Sequence, residues 1–340
     1  MKNSKYAILA LAVGAAVLLT ACGGGGGPST APTTPTQTAP TTTSSSINSV
    51  VATPNYPVAS QQAVVYSLLN AARVSCGFGS VSQSTQLDQA ALAHAKWLMV
   101  NHYAPGHYET SGTPGYTGNG PQDRGAAAGY AYAYTFAYSG EIVTEYLATA
   151  YSGAKLVSNL LSAPYHMVGA MQGFANVGIG YIDDATAGTT VQYGPETTLN
   201  IDFGVPAGSL NQEPSTSDVL TYPCQGTTGT AWELQGETPN PVPGRNLQTS
   251  PIGQPILVYA AHGQTIVLTS ATMTNVASGA NVTLLAPVYS GNDPNAELQN
   301  NEGFIMPNAP LSPNTSYQVT VNGTNNGTAF SRTFTFTTGS

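Results

Sequence analysis

The apolar positions divide the chain into stretches of different character. An unbroken apolar run from Tyr6 to Leu19 follows Lys2 and Lys5. At about 14 residues it is too short to span a bilayer, and a basic start followed by such a run has the make-up of a secretory signal. From Gly23 to about residue 56, Gly, Pro, Thr and Ser dominate, and so few apolar side chains cannot bury a core. Helical spacing then sets in. Val64, Leu68 and Ala72 predict a helix from Gln61 to Val74. Leu87, Ala91, His94, Ala95 and Leu98 share one face of a second, from Leu87 to Asn101, with Asp88 suited to its first turn. A Gly-, Tyr- and Pro-rich loop runs from Tyr103 to about Ser139. Further helices are expected to open near Glu141 and to cover Ala154 to Leu161.

After His166 the period changes from helical to alternating. Val177 to Ile182 and Thr197 to Phe203 read as strands separated by turn residues, and helices followed by antiparallel strands predict an α+β layer fold. Residues 207–245 are rich in Pro, Gly and Gln and read as a connector. From about residue 246 to 340 short strand-like segments recur: Ile256 to Ala260, Thr265 to Thr272, Asn281 to Ala286, Ser316 to Asn322 and Ala329 to Thr337. With no long helical pattern among them, they predict a small β-sandwich. The expected division is 1–21 signal, 22–56 tether, 57–206 first domain, 207–245 connector and 246–340 β-sandwich.

Charge narrows the partners. Only 7% of residues are charged and the formal net charge is −8, more negative still once Lys2 and Lys5 leave with the signal. A surface that binds phosphates needs clustered Lys and Arg, so nucleic acid is excluded as a partner, and electrostatic docking on anionic lipid is disfavoured. Three cysteines occur. Leu19-Thr20-Ala21-Cys22 resembles a bacterial lipobox, which implies that Cys22 is lipidated and begins the mature chain; the alternative is an ordinary cleavage site with an incidental cysteine. A multiply acylated cysteine anchors stably, since each buried methylene adds about 0.8 kcal/mol. Gly23 after Cys22 is similar to lipoproteins sorted to the outer membrane, so the expected location is the cell envelope, lipid-anchored, at the outer membrane. That leaves Cys76 and Cys224, an even pair in an oxidising compartment, predicted to form a disulfide; two free buried thiols are the alternative.

Several short segments carry a family resemblance. Leu69-Asn70 with Arg73, Leu87-Asp88 with Ala93-His94-Ala95, Gly106-His107-Tyr108-Glu109, Ser139-Gly140-Glu141-Ile142-Val143, Ser162-Ala163-Pro164-Tyr165-His166 and Asn176-Val177-Gly178-Ile179-Gly180-Tyr181 follow one another in order. Residues 60 to 205 thereby resemble the CAP family (cysteine-rich secretory, antigen-five and pathogenesis-related proteins; SCP-like). The resemblance implies an α-β-α sandwich with His107, Glu141 and His166 converging in a central cavity. A second cavity glutamate of the eukaryotic members has no counterpart in Val157-Ser158-Asn159-Leu160; Glu109 is a weaker candidate to replace it, since in an extended segment it shares a face with His107. Pro310 to Tyr317, followed by Val319 and Val321, resembles the tyrosine-corner segment of fibronectin-type and bacterial Ig-like domains. The implied fold is therefore a CAP-like α-β-α sandwich followed by an all-β Ig-like sandwich.

Two imidazoles and a carboxylate form a ligand set for a divalent metal such as zinc, with one position left for water. The same trio is also suited to a hydrogen-bonded cluster in which Glu141 orients a histidine, or to bracing three loops. His94, on the apolar face of its helix, reads as a core histidine, His102 as a helix-end cap and His262 as a turn residue. Tyr130, Tyr132, Tyr134 and Tyr138 cluster beside Phe136, either as an amphipathic ligand-binding wall or as a loop packed on the domain. No Gly-x-Ser-x-Gly, His-Glu-x-x-His, Gly-x-Gly-x-x-Gly or phosphate-loop pattern occurs.

Three functions follow from the resemblance and the residues. The first is a non-catalytic envelope module that binds a small apolar ligand or a partner protein, with membrane attachment through Cys22. The second is a metal-assisted hydrolase built on the same His/Glu cavity. The third is a structural or adhesion protein.

Overall fold

The computed structural model describes residues 47–101, 106–133, 139–147, 151–183 and 196–340, with the backbone alone for 139–147 and 196. The described residues fall in one compact unit. The fold is mixed α+β, and the helices come first.

Helix α1 (Gln61–Ser75) starts where the Ser60 hydroxyl accepts from the Ala63 N–H at 3.2 Å. Its inward residues Val65, Tyr66 and Leu69 are buried. Helix α2 (Thr85–Asn101) buries Leu87, Ala91, His94, Ala95 and Leu98, the face that the apolar spacing predicts. Three shorter helices follow: α3 (Pro121–Ala127), α4 (Gly153–Leu160) and α5 (Pro164–Met171). Proline at the first turn of α3 and of α5 costs no hydrogen bond, because those N–H groups have no partner within the helix.

The first sheet has the order β1-β3-β4-β2, from β1 (Ser82–Gln83), β2 (Ser139–Leu147), β3 (Asn176–Asp183) and β4 (Glu196–Gly204). The helix expected to open near Glu141 is instead strand β2, paired antiparallel with β4 from Ser139↔Gly204 to Leu147↔Glu196. The reason is local: Ile142, Val143, Thr144 and Tyr146 are β-branched or aromatic and suit a pleated sheet. One face of this sheet presents Val177, Ile179, Leu199, Ile201 and Phe203 to the core that α1, α4 and α5 share. The other face meets α2. Gly178 and Gly180 make that approach possible, since a Cβ on either would lie 2.0 Å and 2.3 Å from the backbone of Leu87 and Ala91.

Two more four-stranded sheets form the C-terminal part. One has the order β5-β7-β10-β9, from β5 (Leu220–Tyr222), β7 (Ile256–Tyr259), β9 (Val288–Tyr289) and β10 (Glu302–Ile305). The other has the order β6-β12-β11-β8, from β6 (Thr227–Thr230), β8 (Ile266–Asn275), β11 (Ser316–Asn325) and β12 (Thr328–Thr338). Residues 207–245, read from sequence as connector, thus supply β5 and β6. Asn281 to Ala286, expected as a strand, makes only the isolated bridges Thr274↔Asn281 and Leu284↔Pro307.

Strand β7 is buried on both faces, as its continuous apolar run suggests. Ile256 and Val258 pack into the core between the two C-terminal sheets with Val319, Val321, Phe334 and Phe336. Leu257 and Tyr259 pack into the core of the helices and the first sheet. Ring contacts cross the same junction, Phe78 with Tyr259 and Tyr165 with Phe304, each 5.6 Å between centroids.

The Cys76–Cys224 disulfide is present, with Cα atoms 5.5 Å apart. Residues 47–56, placed in the tether by composition, run along the body. Asn48 N–H donates to Gln212 Oε1 at 2.8 Å, and the Tyr66 hydroxyl donates to the Ala52 carbonyl at 2.9 Å. Among the described residues, no helix is long and apolar enough to cross a membrane.

Candidate functional site

Two His–Glu pairs emerge, and they differ in what the imidazole has left to offer. The first joins α2 to the following loop. His94 Nδ1 lies 3.0 Å from Glu109 Oε1, and His94 Nε2 lies 2.8 Å from the Gly106 carbonyl. Both side chains are fully buried, and Trp97 stacks on the imidazole at 5.9 Å. Glu109 also accepts from Thr117 N–H at 2.6 Å and from the Thr117 hydroxyl, and Arg124 Nε stands 3.9 Å away. Burial pushes the Glu109 carboxyl up, but the hydrogen bonds from His94 and Thr117 and the Arg124 charge outweigh it and hold the group below its ordinary range. Both ring nitrogens of His94 face oxygens, so neither is open to an added ligand. Glu109, considered as a cavity acid, therefore holds the 106–120 loop on α2. The expectation of a satisfied core histidine describes His94 well.

The second pair joins α5 to a segment between β6 and β7. His166 Nδ1 lies 3.0 Å from Glu237 Oε1. The same oxygen accepts from the backbone N–H of Tyr165 at 2.8 Å and of His166 at 3.1 Å. These are donors of the first turn of α5, which have no partner within the helix, so Glu237 caps that end from 71 residues away. Burial pushes the Glu237 carboxyl up, opposed by its bonds to His166 and Tyr165. Glu237 Oε2 is buried without a hydrogen-bond partner. His166 itself stays 17% exposed. With Nδ1 set against Glu237, Nε2 is the ring nitrogen that makes none of these contacts.

The remaining predicted positions come from two other elements. Glu141 lies on β2 as the register partner of Asp202, and its side chain lies outside the described residues. The His107 carbonyl accepts from Arg124 Nη1 at 3.0 Å, next to the His94–Glu109 pair. Among the described residues, no group of three or more His, Cys, Asp or Glu side chains gathers to hold a metal. His102 lies outside the described residues, as do Tyr134, Phe136 and Tyr138. Tyr130 is buried and donates to Asn176 Oδ1 at 3.0 Å, with Tyr132 edge-on at 4.6 Å. His262 is an exposed turn residue. Cys22 also lies outside the described residues.

Several residues that carried the family resemblance brace the fold. Arg73 is fully buried and donates to the carbonyls of Phe78, Gly79, Ala170 and Gln172. Asn70 bonds both ways to Val81. Asp88 accepts from Tyr56, Gln83 and the Ile179 N–H, linking α2 to β3.

Sequence reasoning missed Glu237. Only its acidity, in a stretch of few charges, marked it. It also missed two buried acids where the helical part meets β10. Glu302 accepts from Gln172 Nε2 at 3.0 Å and from Gln299 N–H at 2.8 Å. Glu213 accepts from Asn211 and from His262 N–H. Burial raises both, and Glu302, further raised by the Glu213 charge, reaches about 7. Compared with protein-family models and with curated proteins, the chain finds no match.

Proposed function

We propose that this chain is a lipid-anchored cell-envelope protein whose helical part is a CAP-like, non-catalytic binding module, and that His166 is the contact group of its binding site. The observation that carries this reading is the division of labour on the His166 ring. One nitrogen is set against the buried Glu237 carboxyl group, and the other makes no hydrogen bond among the described residues, on a ring that stays partly exposed. Ligand histidines of metal sites are oriented in the same way, by donating their second N–H to a carboxylate. A divalent metal such as zinc fits that nitrogen, with His107 and Glu141 as the remaining ligands in the proposed site. Bound there, the metal would offer an open position to a ligand or a partner protein.

Two further points support the proposed architecture. The Tyr317 hydroxyl accepts from the Ser312 N–H at 2.8 Å, a side-chain bond to upstream backbone of the kind expected at the tyrosine corner of an Ig-like or fibronectin-type sandwich. Because the body holds the chain from residue 47 onward, the proposed tether is residues 23–46, with a reach of about 27 Å from Cys22 as a flexible coil.

Metal analysis tests the proposal. The purified full chain, equilibrated with zinc and freed of excess, is expected to retain one metal per molecule. The paired substitution His107→Ala and His166→Ala is expected to lose it while the fold is kept. A wild-type chain that holds no metal, and whose melting is unchanged by chelator, rejects the metal site.

A further inference from the structure

The outer face of the β6-β12-β11-β8 sheet is the strongest feature that the proposed binding module leaves unused. Residues paired across antiparallel strands lie on the same side of a sheet. The registers Thr272↔Thr320↔Thr333 and Ser270↔Asn322↔Ser331 therefore form two rows across three strands, on the side away from Met273, Val319, Val321 and Phe334. The rows are laced together: Thr320 and Thr333 hydroxyls lie 2.9 Å apart, and Asn322 Nδ2 donates to the Ser270 hydroxyl at 3.1 Å. Neighbouring positions continue the pattern, with Thr274, Gln318 and Thr335 in the next row.

The array does not stop at the sheet edge. A groove of about 430 Å³ runs beside the outer strand β8, and Ser270 and Thr272 belong to both the array and the groove. Its opposite wall is apolar, formed by Val282, Leu284, Ala286 and Pro287. Met273 accepts from the Val282 N–H across that side of β8, so the backbone of Ala271, two residues earlier, is turned the same way and towards the groove. Among the described residues, no charged side chain lines the groove.

We propose that this groove and the hydroxyl rows beside it form a docking surface for a neutral polysaccharide. A sugar ring is amphipathic: its C–H face packs on apolar carbon, and its hydroxyls both donate and accept. The groove offers one wall for each, and Ser, Thr and Asn side chains match hydroxyls without requiring a charge. A charged ligand would find no partner, so neither an anionic polymer nor a basic peptide fits. Adjacent rows repeat along the strands at about 7 Å, so several residues of a polymer are met in sequence rather than a single sugar. The surface lies in the β-sandwich and makes no use of His166, so it stands or falls separately from the metal site.

Affinity electrophoresis of the full chain through gels containing a soluble neutral β-glucan, soluble starch or, as the charged comparison, polygalacturonate tests this. Retardation is expected in at least one neutral gel, unaffected by added salt. Thr272→Lys with Thr320→Lys, both at solvent-facing positions, is expected to melt as the wild type does and to weaken retardation about tenfold, through loss of one or two hydrogen bonds of about 1 kcal/mol each. A Val282→Asp change on the apolar wall gives a second, independent loss. No retardation in either neutral gel, retardation only by polygalacturonate, or retardation that survives both substitutions overturns the proposal.

Discussion

Glu237 Oε1 and His166 Nδ1 meet at 3.0 Å although 71 residues separate them, and the same oxygen closes the first turn of α5. One atom thus serves a helix end and the orientation of an imidazole together. Glu237→Ala is expected to remove both. Loss of the cap alone costs about 1 kcal/mol, and a lower melting temperature in calorimetry should register it. Zinc affinity should fall about 10- to 100-fold as the ring loses the carboxyl group that orients it. An unchanged affinity, with the expected drop in melting, would leave Glu237 as a helix cap only.

The His94–Glu109 pair leads to a different expectation, because no ring nitrogen remains for a ligand. Glu109→Gln is expected to cost about 2 kcal/mol of stability at neutral pH, the scale for hydrogen bonds that involve a charged group. The pH dependence has a definite sign. The folded-state Glu109 lies below its ordinary value of 4.5, so its contribution is present above that pH and is lost as pH falls below it. Urea unfolding of wild type and variant should therefore converge in acid; a gap that stays constant from pH 7 to pH 3 contradicts the pairing.

Glu302 titrates in the opposite sense. Burial raises it from 4.5 to about 7, so the folded state holds a proton there that the unfolded chain gives up. The stability it confers is complete below about pH 4.5 and is lost as pH rises through about 7. Glu302→Gln cannot ionise. Melting curves between pH 4.5 and 8 are expected to show a flatter decline for the variant than for wild type, and an identical slope would refute this assignment.

Close approach of α2 to the sheet makes Gly178 sensitive to a single methyl group. Gly178→Ala would set a Cβ 2.0 Å from the Leu87 backbone, where no flexible side chain can give way. A loss of about 3 kcal/mol is expected from overpacking. Gly236→Ala, which meets nothing within 4 Å, is the matched control and should be close to neutral in the same denaturation series.

Cys76 and Cys224 close a loop of sequence separation 148. In the chain-entropy treatment such a link is worth up to about 5 kcal/mol. Thermal scans with and without reductant, or of the Cys76→Ala/Cys224→Ala pair, should show a large drop. Equal melting temperatures would mean that packing alone holds the 207–245 segment in place.

Much of the fold was legible because it rests on periodicity. The faces of α1 and α2, strands β3, β4, β7, β11 and β12, and the cysteine pair all follow from spacing and residue type. The misreading at Glu141 has a physical source. Its run of β-branched residues favours a strand, and β2 pairs with β4 along its whole length. Helices α3 and α5 were not legible: each opens on a proline, and α3 lies within a Gly-, Tyr- and Pro-rich stretch, whereas the equally short α4 shows Leu156, Val157 and Leu160 on one face. The candidate site was legible only in part. His166 could be singled out from Ser162 to His166, but Glu237 reaches it through tertiary packing, which no local pattern encodes. The Gly-x-Gly of Val177 to Gly180 was visible as a motif, whereas its purpose, admitting α2, required coordinates.

Strand β7 is a party wall. Its alternate side chains belong to two different rooms, and removing either tenant strips one side bare. Expressed alone, neither the helical part nor the two C-terminal sheets would inherit a finished boundary. Recombination that treats the C-terminal part as an exchangeable cassette would have to bring its own replacement for Leu257, Tyr259 and Phe304.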